Sequence, residues 1–164
     1  MNFFRELPQG RPCGTIRGNK PNKEAATMKL MAVDYGDART GVAFSDPTGT
    51  IAGRALVVPS RNREKAVADL ARLARENGAE RIVVGLPRNM DGSEGERAAL
   101  CRQVAAELAE AAGLETVLWD ERRTTVDAHR ILSDNGRRGR RRKETVDAVA
   151  ATLILEGYLG SLRP

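Results

Sequence analysis

Residues 28–46, MKLMAVDYGDARTGVAFSD, decide the fold. The apolar run at 30–33 reads as a strand that delivers Asp34 at its end, a tight turn through Gly36 follows, and 40–45 runs straight back as a second strand. A carboxylate at the end of an apolar strand gives up the burial that Val or Ile would supply. Asp34 is therefore either solvated at the sheet rim or kept for chemistry.

The segments that follow build a sheet around this pair. GRALVVP at 53–59 completes a three-stranded meander, and Ser60 is the expected cap of a helix running to about Asn77, with Val67, Leu70, Ala71 and Ala74 on one face. RIVVGL at 81–86 has the unbroken apolar character of a strand buried on both faces of a parallel sheet. SEGE at 93–96 has capping-box spacing, so Ser93 is expected to open a long helix that faces Leu100, Cys101, Val104, Leu108, Ala111 and Ala112 inward. TVLW at 116–119 is a fifth strand that ends on Asp120 and Glu121. Thr124 or Thr125 should cap a short helix holding Ala128, Ile131 and Leu132, on which His129 lies off the apolar stripe as a surface residue. A last helix is expected over 145–159, with Val146, Val149, Ala150, Leu153 and Ile154 as its core stripe and Asp147 in its first turn.

Right-handed crossovers from this order give a five-stranded mixed sheet, 3-2-1-4-5, with strand 2 antiparallel and helices on its flanks. The carboxyl ends of strands 1, 4 and 5 then share one edge, the edge at which open α/β sheets bind ligands. Asp34, the loop from Gly85 to Ser93 and the pair Asp120-Glu121 all fall there. Strand 4 contributes Gly85 and no acid of its own, leaving room for a divalent cation between the carboxylates of its neighbours. Asp147 has two readings: an acid that complements a helix dipole, or a third member of this acidic group. Sequence alone leaves Asp120 and Glu121 as alternatives for the second member.

The chain's 164 residues suit one domain, 28–164, preceded by a loosely attached or disordered extension, 1–27, in which no apolar period occurs. With 41% hydrophobic and 30% charged residues the composition is that of a soluble globular protein, and no apolar run approaches the roughly 20 residues of a membrane span. Cys13 and Cys101 lack the spacing of a disulfide or zinc framework, which fits a cytoplasmic setting. The net charge of +5 is uneven: residues 1–27 hold five basic and two acidic side chains, 137–143 carry six cations, and the remainder is net acidic. One concentrated basic run, Arg137, Arg138, Arg140, Arg141, Arg142 and Lys143, on an acidic body argues for a directed contact with a polyanion.

Four stretches, DYGDARTGVAFSD (34–46), GLPRNMDGSEG (85–95), DERRTT (120–125) and DAVAATLILEGYL (147–159), together resemble the YqgF/RuvX family over residues 28–159. The resemblance implies a ribonuclease H-like fold and a metal-dependent endonuclease, with Mg²⁺ or Mn²⁺ held by Asp34, Glu121 and Asp147, and Asp120 as the alternative to Glu121. It implies a nucleic-acid substrate, pre-16S ribosomal RNA at its 5′ end or a branched DNA junction, and a monomer or homodimer with no membrane partner. Arg39, Ser93, Arg122 and the basic run are the expected nucleic-acid contacts. RuvC, a related nuclease, has an acid at the end of strand 4, and this chain does not. That difference leaves a non-catalytic nucleic-acid-binding factor of ribosome assembly as an alternative. A sugar-kinase or actin-like phosphate binder shares the D-x-G turn but needs two such domains.

Overall fold

The structure, a computed structural model, describes residues 28–123 and 140–163, with the backbone alone described at 123 and 140–144. The expected extension at 1–27, the short helix with Thr124, Thr125 and His129, and Arg137 and Arg138 lie outside the described residues.

Five strands, β1 (Leu30–Asp34), β2 (Arg39–Ser45), β3 (Ala52–Pro59), β4 (Arg81–Leu86) and β5 (Glu115–Asp120), form one sheet in the order β3-β2-β1-β4-β5. β2 runs antiparallel to both β1 and β3, while β4 is parallel to β1 and to β5. The order and polarity are those expected from the sequence.

Alternation along the strands divides the core in two. Met31, Val33, Val42, Phe44, Ile82 and Val84 face helices α1 (Arg63–Glu76) and α2 (Glu96–Ala112). Leu30, Ala32, Ala43 and Val83 face the long C-terminal helix α3 (Arg140–Leu162), which alone among the described helices covers that side of the sheet. At the far end of this face the Arg81 guanidinium, 9% exposed as a residue, donates to Tyr158 Oη at 3.1 Å and to Glu115 Oε2 at 2.9 Å. Trp119 meets the Tyr158 ring edge-on at a centroid separation of 5.8 Å.

Several boundaries differ from the sequence expectation. Asn62, not Ser60, caps α1, its Oδ1 accepting from Lys65 N at 2.9 Å. Ser60 is buried instead: its amide donates to Ala38 O at 3.0 Å and its hydroxyl donates to Gly36 O, so it ties the end of β3 to the turn after Asp34. Helix α2 starts at Glu96 behind Gly95, which has no capping side chain. It buries Ala98, Cys101, Val104, Ala105 and Leu108, leaves Leu100 and Ala112 partly buried, and exposes Ala111.

Helix α3 begins at Arg140, not 145, because Arg and Lys are strong helix formers and the basic run extends the helix by more than a turn. Asp147 consequently sits two turns in, where the dipole explanation for an acid fails. The buried stripe is Ala151, Ile154, Leu155, Tyr158, Leu159 and Leu162, offset from the expected one; Val146, Val149, Ala150 and Leu153 are only half-buried. Asp147, four residues before Ala151, continues that stripe toward the sheet edge. The segment Thr145–Leu162, with mean hydropathy 1.2 although it carries Asp147 and Glu156, is long and apolar enough to cross a membrane by length and composition alone. Its apolar stripe packs on the sheet as a core helix.

Candidate active site

The carboxyl ends of β1, β4 and β5 meet at one edge, as the parallel pairings Val33↔Val84 and Leu86↔Asp120 require. Asp34 ends β1, and its partner across the antiparallel pair is Gly41 of β2. Glu121 opens a 3-10 turn, Glu121–Arg123, directly after β5. Between them β4 passes as bare backbone at Gly85: a Cβ built there would collide with Glu121 Oε1 and come within 2.5 Å of Ile154 Cδ1. The Glu121 carboxylate therefore occupies the space that glycine leaves. Replacing Gly85 with Ala should swing Glu121 out of this space. The expected result is a fall of the Glu121 carboxyl toward its ordinary pKa, readable by NMR titration, and an unchanged titration would show that the glycine is not what seats it.

Electrostatics separates the two neighbours at the end of β5. Asp120 accepts from Arg122 Nε at 3.0 and 2.9 Å, from Nη2 at 2.5 Å and from the Arg122 amide at 3.0 Å. These bonds hold its carboxyl below the usual range. Glu121 is pushed up to about 7, first by burial and then by the charge of Asp34. Asp34 is pushed up to about 6, first by burial and then by the charge of Asp147. The structure thus brings Asp34 and Glu121 together as two desolvated acids, with Asp120 turned to Arg122.

Asp147 reaches the same cluster from α3, and its Oδ2 accepts from Arg39 Nε at 3.0 Å. Gly41 makes this approach possible, since a Cβ there would overlap the Asp147 carbonyl oxygen and lie 2.6 Å from its carbon. Among the described residues no three His, Cys, Asp or Glu side chains are already gathered in a cation-binding group. The Arg39 pair is consistent with that, because it engages the third acid.

Sequence reasoning missed Arg97, in the first turn of α2. Its Nη2 donates to Tyr35 O at 3.0 Å and its Nη1 to Asp37 at 3.1 Å, and its charge lowers the pKa of both Asp34 and Glu121. A cation in the first turn opposes the helix dipole, so its position was itself a signal. Cys101, one turn further along α2, is buried with its thiol pushed up to about 12, mainly by desolvation. It is an inert core residue.

Ser93 does not open α2. Its amide and hydroxyl donate to Asp91 Oδ1 at 2.8 and 2.5 Å, within a loop closed by Asn89 N to Ser93 O at 2.9 Å and by Gly92 at φ 85°. Arg122 lies against that loop, its Nη1 3.3 Å from where a Gly92 Cβ would stand. Of the basic run, the backbone of 140–143 is helical.

Comparison with known proteins agrees with this architecture. The family model described as "RuvX: Holliday junction resolvase" matches residues 28–161. A protein of Moorella thermoacetica named "Putative pre-16S rRNA nuclease" is 44% identical over 135 residues, covering 82% of this chain and 96% of that one. Proteins with the same name from Pelotomaculum thermopropionicum (43%, covering 82% and 88%) and Myxococcus xanthus (42%, covering 84% and 91%) are similar to it as well. Among solved structures, Thermus thermophilus RuvC with a Holliday junction substrate superposes with a TM-score of 0.53 at 12% identity, covering 84% of this chain and 99% of that one. The Fowlpox virus resolvase with Holliday junction DNA gives 0.55 at 9% identity, covering 84% and 100%. These two likenesses establish the RuvC-type, ribonuclease H-like sheet. With its matched span running from two residues before β1 into the last turn of α3, the chain belongs to the RuvX family.

Proposed function

We propose that this protein is a metal-dependent endonuclease that hydrolyses phosphodiester bonds of structured nucleic acid, with the 5′ end of pre-16S ribosomal RNA as its main substrate. The observation that carries the reading is the pair of buried acids, Asp34 and Glu121, on either side of the bare backbone at Gly85. Burying two acids side by side costs stability, and a cation between them offsets that cost. The names of relatives about 40% identical support the substrate.

The residues fit a hard divalent cation. The donors are carboxylate oxygens, and the side chain missing at Gly85 is what makes room for the Glu121 carboxylate beside Asp34. Asp34 and Glu121 would hold Mg²⁺ or Mn²⁺, with Asp147 as the third ligand. When bound, the cation supplies Lewis-acid neutralisation of the charge that builds on the transferring phosphoryl group. Arg97 keeps a standing positive charge beside the two acids, anchored on Tyr35 O. Arg39 and Arg122, each held beside a carboxylate, border the cleft where phosphate oxygens would lie. The basic run before residue 145 adds affinity for the polyanion that falls as salt rises.

The test is a side-by-side cleavage assay of a pre-16S 5′ leader and a four-way DNA junction with Mg²⁺ and Mn²⁺. Cleavage of the leader, abolished by chelation, is the expected result. Preferential cleavage of the junction would instead establish the second reading, a Holliday junction resolvase, which the family description favours. No metal-dependent cleavage of either by protein that still binds them would overturn the enzymatic reading.

A further inference from the structure

Beside the acidic cluster, on the other side of Arg39, a groove of about 1330 Å³ runs between the edge strand β3, the start of α1 and the exposed side of α3. Its chemistry is opposite to that of the cleft. Among the described residues Arg39, Arg61 and Lys65 line it, and no carboxylate does. Between these cations the floor is apolar, formed by Val57 of β3 and Val149 of α3, with the hydroxyl-bearing Thr145 and Thr152 along one wall. No aromatic side chain is among the described residues that line it.

We propose that this groove takes the sugar–phosphate backbone of one nucleic-acid strand leading away from the acidic cluster. The inference rests on the nucleic-acid reading of that cluster. Charge identifies the occupant. Three cations in the lining, of which Arg39 and Lys65 are paired with Asp147 and Asp69 from outside it, suit a polyanion that replaces those partners, and the apolar floor suits sugar edges between successive phosphates. The basic segment at 1–27 of this chain, with five basic and two acidic side chains, lacks the charge to fill a cationic groove. Continuity places the strand. Arg39 belongs both to the groove and, through Asp147, to the acidic cluster, so a strand in the groove arrives beside the acids. Without aromatic platforms or a carboxylate to read base edges, the groove holds backbone and discriminates little between sequences. Selection of the cleavage position is left to the cleft and to the shape of the substrate.

The experiment is a binding titration by fluorescence anisotropy in EDTA, so that cleavage plays no part, using labelled single-stranded RNA and DNA of unrelated sequence. The double variant Arg61→Ala/Lys65→Ala removes two groove cations. A second double variant, Arg72→Ala/Arg75→Ala, removes two cations of α1 that do not line the groove. The expected result is a loss of about 10-fold in affinity at low salt and a log–log salt slope shallower by about 1.5 for the first variant only. Equal effects of both variants would reduce the signal to net charge and overturn the proposal, as would no effect of either. An independent reading uses a photoreactive group attached at Val57→Cys in a Cys13→Ser background. Cross-linking to the nucleic-acid strand supports the groove. Cross-linking to a second copy through the β3 edge, or to residues 1–27, overturns it. Because neither measurement needs turnover, an inactive but binding protein would refute the nuclease reading while leaving the groove standing.

Discussion

Asp34→Asn should abolish metal-dependent cleavage, keep nucleic-acid binding, and make the metal-free protein more stable at pH 8. The first two effects follow from removing one proposed cation-holding oxygen without changing size or the cationic surfaces. The third follows from linkage. The folded-state carboxyl of Asp34 lies at about 6, above its ordinary 3.8. The folded protein therefore binds that proton more tightly than the unfolded chain does. This contribution to stability is fully present below about pH 4 and is lost as pH rises through about 6. At pH 8 the wild type carries the buried charge at full cost, and Asn removes it. The shift sets an upper value of about 3 kcal/mol, or several degrees in Tm. Thermal melts in EDTA at pH 5 and pH 8 check it: the variant's advantage should be large at pH 8 and shrink at pH 5. A variant that melts no higher than wild type at pH 8 would show that Asp34 is not strained by burial. Glu121→Gln should behave in the same sense, since its carboxyl is also raised, to about 7.

Gly41→Ala should be the most damaging single-methyl change in the domain. The added Cβ would overlap the carbonyl oxygen of Asp147 and stand 3.3 Å from Ala151 Cβ. The obstructing atoms belong to helix backbone, so no side-chain rotation relieves them and α3 must lift from the sheet. Overpacking of this kind costs about 1–3 kcal/mol, here at the upper end. The same movement displaces Asp147 from Asp34. Urea midpoints and cleavage rates should therefore fall together. Gly53→Ala is the control, because its Cβ would meet only Phe44 O at 3.3 Å. If Gly41→Ala unfolds at the same urea concentration as wild type, α3 does not make this contact in solution.

The sheet was legible because its signals are local: the continuous apolar RIVVGL, the alternation through β1 and β2, and the glycine-bearing turns. The start of α3 was not, since its basic residues read equally as a loop on a polyanion and as a helix turn. Its buried face was also ambiguous, because 148–155 is nearly all apolar and several stripes fit it. At the site, Asp34 could be singled out from its own strand. The distinction between Asp120 and Glu121 could not. It depends on Arg122 taking up one carboxylate and on the hole at Gly85 admitting the other, and both are tertiary facts. Ser60 and Asn62 show the same limit on a smaller scale. Two good capping residues lay two positions apart, and a tertiary bond to Gly36 O claimed the first.

That one described helix covers a whole face of the sheet bears on how the chain is made and monitored. α3 is translated after every strand, and until it docks Leu30, Ala32, Ala43 and Val83 have nothing from it to bury them. It also carries Asp147, so a chain that stops short of it loses the cover and an acid of the cluster in one event. Interrupted synthesis or proteolytic trimming would leave a sticky, incomplete protein that chaperones and proteases recognise by its bare sheet.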